Sequence, residues 1–307
     1  MKRWHKISLG VAAVALASSL AAITLVARTQ AHQLITNPVA TRRVSARTPA
    51  DIHVPYDDAA VVTADGLTLT GWYLPSANTA GPTVIVQHGY KDIREKYLDV
   101  SRVFHAHGYG VLIPSVRAHD GSAGDTMTFG INEMKDLDAW FAYLRSRRDV
   151  DITRVGIFGV SMGGSLAIDF AARNPGVRAV AADCAFSSIA DTIATSVRHF
   201  TGLPPFPFAP MILFWVEHDT GLRVSDIDAK KSIAMLSPRP VFIMQGGADT
   251  VISPSSGQLL YQAAGEPKTL WFEPALGHAQ FFTKLPQAFE RRVVAFFDAA
   301  LAGARTP

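Results

Sequence analysis

A chain of 307 residues with 48% hydrophobic and 18% charged residues has a globular composition, which excludes a disordered, collagen-like or coiled-coil protein. Its single cysteine, Cys184, excludes an intramolecular disulfide and a cysteine-based zinc site. The formal charge of +3 is unevenly spread, because residues 1–47 hold seven bases and no acid, while acids outnumber bases in the rest. This mildly acidic body argues against a nucleic-acid-binding surface.

The chain begins with an apolar segment of the length needed to cross a membrane. Lys2, Arg3 and Lys6 precede an uncharged run over residues 7–26, and a helix of that length rises about 30 Å, the thickness of the hydrocarbon core of a bilayer. The bases concentrate on the N-terminal side of the run, which predicts a cytoplasmic N-terminus and an exported body. We therefore predict a membrane anchor over residues 1–27 that holds the body outside the cytoplasm.

The same segment also has features of a cleaved signal peptide. It is rich in alanine and serine, and small residues such as Ala15 and Ala17 have the spacing of a cleavage site. Its length favours a retained anchor, because the apolar region of a signal peptide usually has about 7–15 residues. A secreted body released by cleavage and a buried core helix are the alternatives.

The rest of the chain shows the alternation of an α/β protein. Residues 28–50 lack apolar periodicity and predict a linker, and the body over residues 51–303 opens with a hairpin around Asp65-Gly66. The predicted strands cover 61–63, 67–74, 83–87, 110–113, 155–158, 177–182, 241–244 and 269–272, and the predicted helices cover about 94–106, 132–147, 162–173, 254–264 and 287–301. This order predicts a mostly parallel sheet with helices on both faces.

A long insertion at about residues 187–237 interrupts the alternation. It contains the proline-rich apolar run at 203–216, which cannot form a regular strand and is too short to cross a bilayer. We predict a stiff, irregular cap over the sheet edge. Its aromatic side chains, Phe206 and Trp215 among them, would either form a wall for a hydrophobic acyl group or make up a small core of the cap.

A serine in a glycine-rich turn is the strongest local motif. Residues 159–164 read GVSMGG and lie between a predicted strand and a predicted helix. A serine that attacks a carbonyl needs such a sharp turn to lift its hydroxyl off the sheet, and the helix N-terminus directs N–H groups at developing negative charge. We predict that Ser161 is a nucleophile; the alternative is an ordinary structural turn.

A base and an acid for this nucleophile follow later strands. His278 lies beyond the last predicted strand, beside Gly277, and Asp249 lies just past the strand at 241–244. The carboxyl ends of parallel strands share one edge of a sheet, so we expect Ser161, His278 and Asp249 to meet there. If Asp249 is only a turn residue, Asp183 at the end of the strand 177–182 is the alternative acid.

Two backbone N–H groups are candidates for an oxyanion hole. Gly89 follows a predicted strand and allows a close approach of the backbone, which favours the N–H groups of Tyr90 and Met162 as donors. Histidine and acid pairs such as His119-Asp120 lack the spacing of metal ligands, and no phosphate-binding loop is present. We predict no cofactor and no metal.

The motifs HGY, GVSMGG, QGGADTVISP and GHA, in this order, resemble the serine hydrolases of the α/β-hydrolase superfamily. They are similar in particular to bacterial membrane-anchored hydrolases of the prolyl-oligopeptidase-like or serine-aminopeptidase-like kind. The resemblance covers about residues 50–303 and implies an α/β-hydrolase fold with a mostly parallel eight-stranded sheet and a short cap. Residues 115–124 depart from the D-x-R-G-H-G-x-S stretch of the superfamily, with Ser115 and Ala118 at its first acid and first glycine.

The sequence therefore predicts a hydrolase that cleaves carboxylic esters through an acyl-enzyme. An aminopeptidase-like serine peptidase is the alternative, and its substrate amine would need an acid of the cap such as Glu217, Asp219 or Asp191. A binding protein that keeps the fold without catalysis is the third possibility. The expected partners are a small ester or short peptide and, through residues 1–27, a membrane, with no nucleic acid.

Overall fold

The body alternates strands and helices in a computed structural model that describes residues 2–78 and 80–302, with side chains from residue 7 onward. The strands are β1 (Asp57–Val62), β2 (Thr68–Leu74), β3 (Thr83–Gln87), β4 (Gly110–Pro114), β5 (Val155–Val160), β6 (Val177–Asp183), β7 (Val241–Gly246) and β8 (Lys268–Glu273). The helices are α1 (Lys2–Ile35), α2 (Leu98–Ala106), α3 (Glu133–Ser146), α4 (Met162–Arg173), α5 (Ile189–Thr201), α6 (Pro205–Thr220), α7 (Ala229–Ala234), α8 (Ser255–Ala263), α9 (Phe281–Lys284) and α10 (Pro286–Leu301). Short 3₁₀ turns cover Pro49–Ile52, Arg94–Tyr97 and Val224–Asp226.

The strands form one eight-stranded sheet in the order β1-β2-β4-β3-β5-β6-β7-β8. β1 pairs antiparallel with β2, and β2 pairs antiparallel with β4, while all other neighbours are parallel. The prediction of a mostly parallel eight-stranded sheet is confirmed. The strand order reverses between β3 and β5, and ligands of such sheets bind at this reversal, outside the carboxyl ends of the strands.

Two hydrophobic layers hold helices on both faces of the sheet. One layer buries Trp140 of α3 and Leu166 of α4, and the other buries Phe104 of α2 and Phe297 of α10. The strands between them are buried almost throughout; every residue of β3 and β4, for example, is buried. The sheet is thus a rigid support for the loops at its carboxyl edge.

The first helix continues beyond the predicted anchor into the predicted linker. Residues Ile7–Ile35 of α1 are long and apolar enough to cross a membrane, and most side chains over 7–26 are exposed. Ala27, Ala31 and Ile35, four residues apart, form a buried stripe, and the main packing partner of α1 is α6. The prediction of a linker is therefore wrong for residues 28–35, because two alanines and one isoleucine on one face do not give a recognisable apolar period.

The cap is largely helical, and the prediction of an irregular segment is wrong for most of the proline-rich run. α6 has one non-helical residue, Phe206, with φ −102° and ψ 132°. Pro207 and Pro210 fall in the first turn of the regular helix that follows, where few backbone N–H groups have intrahelical partners. The prolines therefore begin a helix here and do not prevent one. α5 and α6, which follow β6, line the cavity at the carboxyl edge of the sheet, and α7 packs against α4 and α8 before β7 begins.

Candidate active site

Ser161 stands at the sharp turn between β5 and α4. Its backbone has φ 57° and ψ −123°, a conformation that residues with a side chain rarely adopt. The turn is possible because two glycines let backbones touch: a Cβ at Gly159 would lie 2.1 Å from the Gly163 carbonyl oxygen, and one at Gly163 would lie 2.4 Å from the Gln87 carbonyl oxygen. The glycine-rich sequence thus folds into a strained turn that presents the Ser161 hydroxyl above the sheet.

The structure brings Ser161, His278 and Asp249 into one hydrogen-bonded chain. His278 follows β8 and places Nε2 2.9 Å from Ser161 Oγ. Its other nitrogen, Nδ1, lies 2.7 Å from Oδ2 of Asp249, which follows β7. Residues 117 and 29 positions apart in sequence meet here because β5, β7 and β8 end at the same edge of the sheet.

Asp249 is held as a carboxylate that faces His278. Burial alone would raise the pKa of its carboxyl group, but the hydrogen bond with His278 and two bonds from backbone N–H groups outweigh burial and lower the pKa. The N–H groups of Val251 and Ile252 donate to Oδ1 at 2.8 and 2.9 Å, which leaves Oδ2 for the imidazole. This arrangement fixes the ring orientation and favours the tautomer with its proton on Nδ1.

Asp183, the alternative acid, lies at the end of β6 without a hydrogen bond to His278. Its backbone carbonyl accepts the N–H of Ser161 at 2.8 Å, and its carboxylate atom Oδ1 is buried without a hydrogen-bond partner. Burial raises the pKa of this carboxyl group to about 7. The position that orients the imidazole is therefore occupied by Asp249.

The two predicted oxyanion donors lie on either side of Ser161. A Cβ at Gly89 would lie 3.4 Å from the Ser161 Cβ, so the loop after β3 lies directly against the turn at Ser161. Within the described residues, no group accepts a hydrogen bond from the backbone N–H of Tyr90. Met162 is the first residue of α4, where a helix leaves its N–H groups unpaired. Both groups are thus free to donate to a bound oxygen atom.

Three buried side chains hold this loop in place: His88, for which the sequence favours hydrogen bonding within the loop, and Tyr97 and His119, whose contacts with the loop the sequence did not predict. The Gly89 N–H donates to the Tyr97 hydroxyl at 3.0 Å, and the Lys91 N–H donates to Nε2 of His119 at 3.0 Å. His88 accepts the Val116 N–H at Nε2 and donates from Nδ1 to the Gly89 carbonyl. Burial lowers the pKa of both histidines, so they stay neutral and keep Nε2 as an acceptor.

The signal for His119 was the stretch at residues 115–124, whose function the sequence left open. Its Asp120 forms an ion pair with Arg94, with Oδ2 2.9 Å from Nε, and its Arg117 pairs with Asp136. The first pair holds the stretch against the segment after β3, and the second holds it against α3. The stretch thus supports the loop after β3, which contains Gly89, Tyr90 and Lys91.

An apolar cavity of about 880 Å³ opens above Ser161 and His278. Its lining includes Phe186 and, from the cap, Ile193, Val197, Phe200 and Ile212. Neither Phe206 nor Trp215 lines it: Phe206 is 80% exposed, and the Trp215 ring lies under the Arg28 guanidinium, so the prediction that these two form an acyl wall is wrong. The side chains of Glu217, Asp219 and Asp191, proposed as amine anchors, are exposed and line no part of it.

Cys184 lies close enough to Asp249 and His278 for one atom of each residue to fall within 4.8 Å of the others. Burial raises the pKa of the Cys184 thiol well above its ordinary value. The facing nitrogen and oxygen of His278 and Asp249 already bind each other. This donor set does not suit a metal ion.

Comparison with known proteins also indicates a hydrolase of the α/β fold. Residues 65–202 match the X-Pro dipeptidyl-peptidase (S15) family. The chain is 29% identical over 223 residues to an uncharacterized protein of Mycobacterium tuberculosis, covering 72% of each, and 26% identical to the alpha/beta hydrolase domain-containing protein WAV2 of Arabidopsis thaliana, covering 74% of this chain and 73% of that protein. The Pyrococcus furiosus esterase Pf2001 superposes with a TM-score of 0.73 at 26% identity, over 87% of this chain and 98% of its own.

The eight-stranded sheet, the strained serine turn and these relatives define a hydrolase of the α/β fold. The chain has the α/β-hydrolase fold, and its relatives support a serine hydrolase of that superfamily, as the resemblance of its motifs implied.

Proposed function

We propose that this protein hydrolyses carboxylic esters through an acyl-enzyme formed on Ser161. The observation that carries the proposal is the hydrogen-bonded chain from Ser161 through His278 to Asp249 at the floor of an apolar cavity. Serine is a weak nucleophile at its ordinary pKa and needs a positioned base, which the imidazole supplies at 2.9 Å.

The reaction follows from this geometry in two halves. Ser161 Oγ attacks the acyl carbonyl while His278 Nε2 takes its proton, and the Asp249 carboxylate stabilises the imidazolium that forms. The N–H groups of Tyr90 and Met162 bind the oxyanion. The C–O bond to the alcohol then breaks as His278 returns the proton to the leaving oxygen. Water, deprotonated by His278, releases the acid and restores Ser161.

The cavity favours an ester with a hydrophobic acyl group over a peptide with a free amine. Of the acids that line it, Asp92 is already paired with Lys96 and accepts a hydrogen bond from the Tyr97 hydroxyl. Asp183 lies beside Ser161, and burial raises the pKa of its carboxyl group to about 7, which weakens it as a partner for a charged amine. The structural relative Pf2001 is named as an esterase. The match of residues 65–202 to a dipeptidyl-peptidase family keeps peptide hydrolysis as the second candidate.

A substrate panel separates the two activities. We expect the purified full-length protein in detergent to hydrolyse p-nitrophenyl acetate and butyrate with kcat/KM at least about tenfold above that for aminoacyl and X-Pro p-nitroanilides. Ser161→Ala is the control, and it should lose at least about 10⁴-fold of the ester activity. Preferred turnover of the anilides would establish the peptidase, and comparable ester turnover by Ser161→Ala would refute the mechanism.

We also propose that α1 stays attached as a membrane anchor. Its last turn is part of the body: the Tyr90 hydroxyl and the Lys91 ammonium donate to the carbonyl oxygens of Leu34 and Gln33 at 2.8 and 2.7 Å. Cleavage near Ala17 would leave an exposed apolar half-helix on the body, and cleavage beyond residue 35 would remove contacts with the cap. Both outcomes favour a helix that remains whole.

A further inference from the structure

The same helix that is long enough to cross a membrane also lines the cavity above Ser161. Gln30, Gln33 and Leu34 of α1 line this cavity, and α1 is continuous from Lys2 to Ile35. A helix rises about 1.5 Å per residue, so Gln30 and Gln33 lie only about 6 and 10 Å beyond Val26, the end of the uncharged run. The headgroup layer on each side of a bilayer is about 5–7 Å thick, so Gln30 lies within this layer and Gln33 lies just outside it. The cavity therefore begins where the membrane surface lies.

The loop after β3, which contains Tyr90 and Lys91, is bound to the same end of α1. The last carbonyl groups of a helix have no intrahelical partner, and in α1 those of Gln33 and Leu34 accept hydrogen bonds from the side chains of Lys91 and Tyr90. The Ile35 carbonyl accepts the Met127 N–H at 2.7 Å. Because no flexible segment separates the apolar run from these contacts, the body is held in one orientation to the membrane.

The cap extends back along α1 toward the apolar run. A small second cavity places Leu34 beside Val216 and Thr220 near the end of α6, and α6 packs along α1. The beginning of α6 is thus directed toward the run. Pro207 precedes Val216 by nine residues, about 14 Å of helix, which puts it near the level of Leu25.

Large apolar side chains of the cap are exposed at this end. Phe200 is 65% exposed and lines the cavity, and Phe206 is 80% exposed at the start of α6. Exposed aromatic side chains are stabilised at the boundary of headgroups and acyl chains. The bilayer that α1 would cross is therefore the partner that covers Phe200 and Phe206.

We infer that the cavity opens at the membrane surface, between Gln30, Gln33 and Phe200, and that the substrate is an acyl ester dissolved in the bilayer. This inference rests on the proposed esterase activity and names its substrate class. The ester would move from the acyl layer into the apolar cavity without crossing water. Ser161 Oγ then forms its bond to the acyl carbon as the ester C–O bond breaks, and water later releases the acid.

The rigid connection between anchor and body gives the test. The full-length protein is reconstituted in phosphatidylcholine vesicles that contain 4-methylumbelliferyl oleate, and hydrolysis of this ester is compared with that of p-nitrophenyl acetate in the surrounding water. A ten-residue Gly-Ser insertion between Val26 and Ala27 keeps the anchor but frees the body from its fixed orientation. We expect it to lower oleate hydrolysis by at least about tenfold and to leave acetate hydrolysis unchanged.

A second variant makes the test independent of the insertion. Phe206→Ser should lower oleate hydrolysis in the same vesicles at least about threefold with acetate hydrolysis unchanged, whereas Phe272→Ser, at an exposed phenylalanine of β8, should change neither. If both the insertion and Phe206→Ser hydrolyse the oleate ester like the wild type, entry from the membrane is refuted. A wild-type protein that fails to hydrolyse acetate would instead refute the esterase activity on which this inference rests.

Discussion

Two acids compete for the role of orienting His278, and their surroundings differ. Asp249 accepts two backbone N–H groups on one oxygen and binds the imidazole with the other, while Asp183 has a buried oxygen without a partner. A carboxylate that fixes the tautomer and stabilises the imidazolium must contact the ring. The structure therefore gives each acid a different expected response to the same substitution.

Asp249→Asn should lower kcat/KM for p-nitrophenyl acetate by about 10⁴-fold, because the amide supports the wrong tautomer and no longer stabilises the charged ring. Asp183→Asn should lower it by less than about tenfold, since its side chain makes no hydrogen bond to His278. Steady-state kinetics of both variants at pH 8 provide the comparison. If the Asp183 variant is the more impaired of the two, the assignment of the acid is reversed.

The raised pKa of Asp183 also predicts a pH-dependent stability. Its carboxyl group keeps a proton up to about pH 7 in the folded chain but loses it near pH 4 in the unfolded chain, so ionisation of this buried group lowers the stability as pH rises to 7. The side chain of Asp183→Asn is neutral at every pH. The free energy of unfolding of this variant, relative to that of the wild type, should therefore be about 3 kcal/mol higher at pH 8 than at pH 5. Thermal unfolding in detergent at both pH values measures this gain, and an equal difference at the two values would contradict it.

At the residue level, the sequence predicted the side chains that follow strand ends and missed those that act across loops. Ser161, Asp249 and His278 could be found because each stands in a recognisable position relative to a strand. The hydrogen bond from the Lys91 N–H to His119 joins two loops that only the folded sheet brings together. Periodicity and turn patterns contain no information on such a contact.

At the level of elements, the strands and the helices of the sheet were predictable and the cap was not. The predicted helix at 162–173 has the bounds of α4, and the strand at 83–87 has those of β3. α6 gave no helical period because it is apolar around most of its circumference: Ile212 and Val216 face the protein core, while Phe214 is exposed. Its two contact surfaces, one with α5 and one with α1, explain this composition.

The cap should set the preference for the acyl group through Ile193 and Ile212, which line the cavity. We expect Ile212→Ala to lower kcat/KM for p-nitrophenyl octanoate by about tenfold relative to acetate, because it removes apolar contact with the longer chain. Trp215→Ala, outside the cavity, should keep the wild-type ratio. The ratio is measured in detergent solution with thermal stability followed in parallel. If Trp215→Ala changed the ratio of octanoate to acetate hydrolysis and Ile212→Ala did not, the acyl chain would bind outside this cavity.

At the level of the whole molecule, the orientation of the body follows from the charges around the apolar run. Lys2, Arg3 and Lys6 precede the run, and only Arg28 closely follows it, which favours an exported body. Protease added to intact spheroplasts should degrade the body, and the undigested protein should fractionate with membranes at its full length. Protection of the body until lysis would reverse the orientation, and a shortened soluble product would show cleavage of the helix.

Covalent labelling of Ser161 tests the central claim most directly. A fluorophosphonate reacts with a serine only where a base activates it and an oxyanion hole accepts the phosphonyl oxygen. We predict that the wild-type protein gains the mass of one phosphonyl group, that peptide mapping places it on Ser161, and that folded Ser161→Ala gains none. A folded wild-type protein that stays unlabelled, or a label on another residue, would contradict the assignment of Ser161 as the nucleophile.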